Sequence, residues 1–485
     1  MKEFRMRKDL FQKIDQAFKV GPLHKYLQPP KKYSLNKLES KYLGMYGYLV
    51  DVKSDYLEFE SDYVNWVSGN IGSEEVGFPD CVYYAKAPDP VTRYYDRYPV
   101  RPKIPSMSWI NTEPTQVSAK SGVQVLRGAP EELAVLSWPP KTNILSSARV
   151  KNSYYHYRNA GEGTVVYVLD GGCDPSHPEF RNTKFQDWVS FNHHTLENGT
   201  DANQYGFGYP HGTIMAAKIA GRHTGIAPRA QLVIVPTFDV TGFITYEGMY
   251  AALLQTYDHV KSMNQDQPCI INMSFGWAPT ADKIDEGRLE ILRELGKLKN
   301  VILVSSSGNS DENEPISDLP AAHFGPDRDF KNYVVVGATD SERYRNTYAY
   351  NRTYTNFVWA PAGNYTFPRI PDLRFDSSRF TEEEFYGIDE DGGTSIAAAT
   401  VSGMLASYIS RNMKSRSRMQ DAIKNLKTFS YVRYLGGVPV IQNGITPDQW
   451  LEEDQKELGY EKKKGIKDHC KKFWDKASKK FICKD

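Results

Sequence analysis

No apolar run in the 485-residue sequence reaches the roughly 18 residues a membrane-crossing helix needs, so no membrane span is expected. No secretory leader is read at this start, which fits either an intracellular protein or a chain that begins after a missing or removed signal. The opening Met1-Lys2-Glu3-Phe4-Arg5-Met6-Arg7-Lys8-Asp9 is heavily charged and leads into no long apolar core. Charge of one sign is not in excess: the formal net charge is +1, which leaves no global field to attract nucleic acid or an anionic membrane. Cysteine is scarce. Cys81, Cys173, Cys269, Cys470 and Cys483 form no Cys-x-x-Cys pair that would suggest zinc, and their odd number leaves at least one unpaired in a monomer. No internal repeat is found.

What is present divides the chain in three. Residues 1–130 are rich in Tyr and Pro and weakly periodic. Within them Tyr48-Leu49-Val50-Asp51-Val52 reads as a strand, Tyr56 to Val67 as a helix, and the Pro-punctuated stretch from Ala87 to Pro105 as an extended linker. Residues 131–435 alternate short apolar runs with helical stretches. The runs are 164–169, 232–235, 270–274, 301–304 and 333–336; the helices are 246–263, 284–298 and 395–409. Such alternation implies an α/β fold with a mostly parallel sheet covered on both faces, and a ligand site at the carboxyl ends of its strands. Residues 436–485 end in a basic tail, in which Lys outnumbers acids ten to four from Glu461 onward. A solvated helix is the ordinary reading of that tail, ahead of contact with an acidic partner.

Four short segments carry chemistry. Val168-Leu169-Asp170-Gly171-Gly172 ends a buried strand on a carboxylate followed by two glycines. Pro210-His211-Gly212-Thr213 puts an imidazole at the start of a small-residue helix. Ser305-Ser306-Ser307-Gly308-Asn309 ends a strand on an amide. Gly392-Gly393-Thr394-Ser395-Ile396-Ala397 delivers a hydroxyl to the first turn of another small-residue helix. Singly, each has an ordinary explanation: an Asp-Gly turn, a helix-start His, a Gly-Asn turn, an N-cap Ser. Together they place a carboxylate, an imidazole, an amide and a hydroxyl at element boundaries. The order Asp, His, Ser is that of the subtilisin triad, and no Gly-x-Ser-x-Gly elbow surrounds Ser395, which argues against an α/β-hydrolase esterase.

Over residues 130–410 the chain resembles the subtilase (subtilisin-like serine protease) family. The resemblance rests on Asp170-x-Gly172, His211-Gly212-Thr213, Ser307-Gly308-Asn309 and Gly393-Thr394-Ser395-x-Ala397-Ala398. Supporting segments are Ile271 to Gly276, Pro320 to Ala338 and Ala360 to Gly363. Two departures, Gly171 where the family has Ser or Thr and Ala399 where it has Pro, remove no catalytic group. The resemblance implies a three-layer α/β/α catalytic domain over 131–435, with 1–130 a propeptide-like or accessory region that would act as an intramolecular inhibitor. It implies a serine endopeptidase with Asp170, His211 and Ser395 as triad and Asn309 as oxyanion donor. Its substrates would be proteins or peptides, lying along Ser274, Phe275 and Gly276 and against the pocket wall of Ser305, Ser306, Ser307 and Gly308.

Neither of those two segments holds a carboxylate, which suggests a broad or apolar preference. The chemistry needs no cofactor; structural calcium, common among relatives, has no recognisable ligand loop here. Cys173, His177, His223 and the pair His193-His194 take structural readings. The resemblance and the sequons at Asn198, Asn351 and Asn364 point to secretion. The rival reading is a peptide-binding module on the same fold, its cleft occluded by the long segment 365–390.

Overall fold

The computed structural model describes residues 8–21, 25, 34–40, 43, 45–51 and 116–458, the last without 119–120, 141–146, 190–209, 238–245, 280–283, 312–313, 341–353, 364, 369–385, 390–391, 434 and 436. Its centre is a nine-stranded sheet in the order Tyr431–Val432, Pro439–Val440, Phe357–Pro361, Tyr333–Thr339, Val301–Ser306, Cys269–Met273, Val165–Asp170, Gln231–Pro236, Lys184–Trp188. Only the first pair is antiparallel; every other neighbouring pair is parallel. The central strands are buried along their whole length, which is why they read as unbroken apolar runs rather than alternating ones. The α/β fold with a mostly parallel sheet expected from the sequence is the one adopted.

Val165–Asp170 is the pivot. Gln231–Pro236 pairs on one side of it and Cys269–Met273 on the other. Its carboxyl end is therefore a topological switch point, where the connections diverge and leave a crevice. Asp170 is the last residue of that strand.

Two helices pack on each other and against this sheet, His211–Ala220 and Thr394–Ser410. The second is buried on all sides, as its run of Ala, Ser, Thr, Gly and aliphatic residues predicts for a helix without a polar face. Gly403 shows how close the packing is: a Cβ there would lie 3.0 Å from Ile226 Cβ and 3.2 Å from the Ile219 carbonyl oxygen. Ser395 is the only residue of this helix left partly open. A buried ion pair, Lys218 Nζ to Glu132 Oε1 at 2.6 Å, ties the His211–Ala220 helix to the segment before the sheet.

A three-stranded antiparallel sheet, Gln116–Val117, Val123–Arg127 and Ser153–Tyr157, flanks the body. The chain's later part closes over it. Trp450 stacks on Tyr155 with ring centroids 4.2 Å apart. Arg127 pairs with the fully buried Asp454 at 2.9 Å, and Asn443 Nδ2 donates to the Tyr155 carbonyl at 2.6 Å. Near the amino end, Ser34–Ser40 and Met45–Asp51 form an antiparallel hairpin. It packs against the helix Tyr246–Ser262, where Ser40 Oγ donates to Asp258 Oδ1 at 2.5 Å and Leu43 joins the main core. The helix expected at 56–67, the linker, the basic tail from 461, the three sequons and His193-His194 lie outside the described residues. Among the described residues, no helix is long and apolar enough to cross a membrane.

Candidate active site

Asp170 is fully buried, and its carboxylate faces one imidazole. His211 Nδ1 lies 2.8 Å from Oδ1 and 2.9 Å from Oδ2. Oδ1 also accepts the Gly171 N–H at 2.7 Å. The Asp170 carbonyl is held by Thr237, whose N–H and Oγ1 donate to it at 2.7 and 3.0 Å. A carboxylate accepts only from a protonated nitrogen, so this arrangement puts the proton on Nδ1 and leaves Nε2 as the basic nitrogen.

Glycine makes that approach sterically feasible. A Cβ on Gly212 would sit 2.1 Å from the Gly172 carbonyl oxygen, and Gly172 itself has φ +101°. The helix terminus carrying His211 thus abuts the turn after Asp170 only because neither position bears a side chain. Thr213 Oγ1 completes the joint by accepting the Asp174 N–H at 3.0 Å.

Ser395 enters from the opposite helix. Its Oγ donates to the Ser274 carbonyl oxygen at 2.7 Å, and Ser274 Oγ donates back to the Ser395 carbonyl at 3.0 Å. Behind them, Asn272 Nδ2 donates to Ser274 Oγ at 3.0 Å, and Ser402 Oγ to Asn272 Oδ1 at 2.9 Å. Among the described residues, Ser395 Oγ rests on Ser274 and not on His211, so attack requires it to leave that carbonyl. Loose pairing of nucleophile and base is common without substrate. The chain Ser402–Asn272–Ser274 escaped the sequence reading. Its one signal was Asn272 itself, an amide inside the apolar strand Cys269–Met273, where a buried polar group demands partners.

Asn309 follows Gly308, which takes φ +94° at the end of Val301–Ser306. Its Oδ1 accepts two hydrogen bonds from Thr394, from N–H and Oγ1, both at 2.9 Å. With the oxygen so committed, Nδ2 is the donor end of the amide, which settles its orientation chemically. Gly392 and Gly393 permit the approach: a Cβ on Gly393 would meet Asn309 Nδ2 at 2.8 Å, and one on Gly392 the Ala362 carbonyl at 1.9 Å. Asn309→Asp keeps an acceptor for Thr394 and replaces the donor by a second anionic oxygen. It is expected to lower kcat by about 10²–10³ with KM and thermal stability little changed, read by steady-state peptide hydrolysis beside a melting curve.

Ser274-Phe275-Gly276 follows one strand and Ser305 to Gly308 ends its parallel neighbour, at the same carboxyl ends as Asp170. Ser305 Oγ is turned into the body, 2.6 Å from Tyr333 Oη. The remaining candidates hold structure. His177 Nδ1 accepts the Glu179 N–H. Glu179 is itself buried, bonded to the His223 and Thr224 N–H groups, Thr224 Oγ1 and Tyr386 Oη, with burial pushing its carboxyl up. Burial pushes the His223 imidazole down to about 4. Cys173 is buried in the core, and Cys269 is a buried thiol that desolvation pushes up to about 12. Among the described residues, no cluster of three or more His, Cys, Asp or Glu side chains is placed to hold a metal ion.

Known proteins are similar to this chain. A subtilisin-like protease of Coccidioides posadasii (strain C735) is 27% identical over 287 residues, 59% of this chain and 62% of the relative. Subtilisin-like protease 2 of Trichophyton rubrum is 28% identical over 322 residues, 64% of this chain and 66% of the relative. The chain thus spans less than two thirds of the length of these relatives. A solved cold-adapted subtilisin-like serine proteinase aligns with a TM-score of 0.46 and 18% identity, covering 66% of this chain and 100% of its own. The sequence profile of the subtilase family matches residues 161–439, more than half of the chain and the stretch containing Asp170, His211, Asn309 and Ser395. With the profile spanning more than half of its length, the chain belongs to the subtilase family.

Proposed function

We propose that the protein is a serine endopeptidase that hydrolyses peptide bonds through an acyl-enzyme. The observation that carries this reading is the buried Asp170 carboxylate on His211 Nδ1, at 2.8 and 2.9 Å, with Ser395 and Asn309 at the same strand ends. Ser395 Oγ attacks the scissile carbonyl carbon while His211 Nε2 takes its proton. Asp170 holds the imidazole and offsets the charge it gains. The tetrahedral oxyanion is met by Asn309 Nδ2 and the Ser395 N–H. His211 then protonates the leaving amine, the carbon–nitrogen bond breaks, and a water deprotonated by the same imidazole releases the acyl group. An extended substrate pairs with Ser274 to Gly276 as an added strand, with the side chain on the acyl side of the scissile bond directed toward Ser305 to Gly308. Every step uses this chain's own residues; calcium, where bound, has a structural role.

Residues 1–130 serve, in this reading, as an inhibitory and fold-assisting propeptide, and the mature enzyme is secreted. The packing of the Ser34–Asp51 hairpin on the helix Tyr246–Ser262 is consistent with a docked segment of this kind.

The test is labelling of the purified, folded protein with a fluorophosphonate probe, followed by mapping of the modified peptide. Modification of Ser395 is expected, because only an activated hydroxyl beside an oxyanion hole reacts at a useful rate. Absence of labelling even after removal of residues 1–130, with peptide still bound, would replace this proposal by a binding module that does not cut.

A further inference from the structure

We propose that Asp318 forms the floor of the pocket for the acyl-side residue and makes the enzyme selective for substrates with Lys or Arg there. This deepens the protease reading and rests on it. The two segments proposed to flank that residue each contain one glycine, and both glycines open onto the same carboxylate. A Cβ on Gly276 would lie 3.0 Å from Asp318 Cβ and 3.6 Å from its Oδ2; a Cβ on Gly308 would lie 3.2 Å from the same Oδ2 and 3.8 Å from Cγ. Asp318 therefore closes a slot whose walls are backbone at both points of nearest approach. Gly308 also needs to be glycine for its φ of +94°.

The slot is tied to the reacting atoms by short connections. Gly276 lies two residues beyond Ser274, whose carbonyl receives Ser395 Oγ. Gly308 precedes the oxyanion donor Asn309, and its own carbonyl accepts from Thr394 Oγ1 at 3.2 Å. Asp318 is itself fixed. The next residue, Leu319, forms a two-way backbone bridge with Trp277, at 2.9 and 2.8 Å, so wall and floor move as one unit.

The carboxylate has no structural employment. Among the described residues it makes no ion pair or side-chain hydrogen bond, and it does not cap the short helix Ala321–Phe324, whose start has no side-chain cap. It is half-buried, and desolvation pushes its carboxyl above the ordinary range. A partly desolvated carboxylate without a counter-charge is costly, and an ammonium or guanidinium arriving down the slot relieves that cost. An apolar side chain would instead seal the charge in. The absence of a carboxylate from 274–276 and 305–308 thus misleads about preference, because the charge comes from a third segment.

The experiment uses the full chain and one peptide sequence with Lys, Arg, Leu, Phe or Glu on the acyl side of a fluorogenic leaving group. For Lys and Arg, kcat/KM is expected to exceed that for Leu and Phe by about tenfold or more. In Asp318→Asn and Asp318→Ser that ratio is expected to collapse, with fluorophosphonate labelling of Ser395 reporting that each variant retains its site. Labelled, active wild-type protein that favours Leu or Phe would overturn the proposal and leave the protease reading standing. So would a Lys/Arg ratio unmoved in a labelled variant. Wild-type protein that neither labels nor cuts, before and after removal of residues 1–130, overturns both.

Discussion

Ser395→Ala is expected to lower kcat on a peptide substrate by about 10⁶, the size of loss that removal of the nucleophile causes in subtilisin. The reason is local. Alanine deletes the hydroxyl proposed to form the acyl-enzyme but leaves the helix Thr394–Ser410 otherwise intact, since Ser395 is its only partly open residue. Ser274 loses a donor to its carbonyl but keeps its own bond to the Ser395 carbonyl, because that bond uses backbone. The variant should therefore fold, melt near the wild-type temperature and bind peptide. Some acceleration over water should remain, on the order of 10³–10⁴, from Asn309 and from positioning alone. The same variant examines the amino-terminal region. If that region is removed by the enzyme itself, cleavage between residues 105 and 140 should disappear in purified Ser395→Ala protein. Steady-state kinetics and intact-mass measurement read both outcomes; a fall smaller than about tenfold would place the nucleophile elsewhere.

Asp170→Asn is expected to cost about 10⁴ in kcat at neutral pH, the size of the corresponding loss in another serine-triad enzyme, with little change in the fold. Asp170 Oδ1 accepts the Gly171 N–H, and this bond orients an asparagine at the same site with its oxygen toward Gly171. The new NH₂ then occupies the Oδ2 position, 2.9 Å from His211 Nδ1. That NH₂ opposes Nδ1–H donor to donor, offset only by the neutral oxygen 2.8 Å away, so the tautomer with its proton on Nε2, which lacks the lone pair that accepts from Ser395, gains population. The imidazolium formed during attack also loses its counter-charge. NMR of the His211 ring nitrogens would show the tautomer directly, and fluorophosphonate labelling should slow in parallel. Unchanged labelling would mean that the Asp170–His211 pair is structural.

Much of this was legible before any coordinates. The strands were readable because a strand covered on both faces must be apolar at every position, as 165–169 and 301–304 are; the actual ends, Val165–Asp170 and Val301–Ser306, extend to polar residues. The catalytic positions were readable because steric demands force glycine beside them. Gly212 and Gly393 leave no room for a side chain and Gly172 takes φ +101°, so the motif is written into the sequence.

The supporting groups were not legible in the same way. Thr394, at the start of a helix, orients Asn309, and Ser402 of the same helix reaches Asn272 inside a strand. Nothing in their immediate neighbours announces those partners, since each bond joins residues distant in the chain.

The sequence by itself determined which chemistry the chain carries: a carboxylate, an imidazole, an amide and a hydroxyl, each pinned to an element boundary by the glycines around it. Tertiary structure alone decided which way Asn309 presents its amide, where Ser395 Oγ rests, and that Asp318 sits between Gly276 and Gly308. The difference is physical. Local sterics act between neighbours and leave a trace in residue order, whereas a slot assembled from three segments exists only once the sheet has brought their ends together.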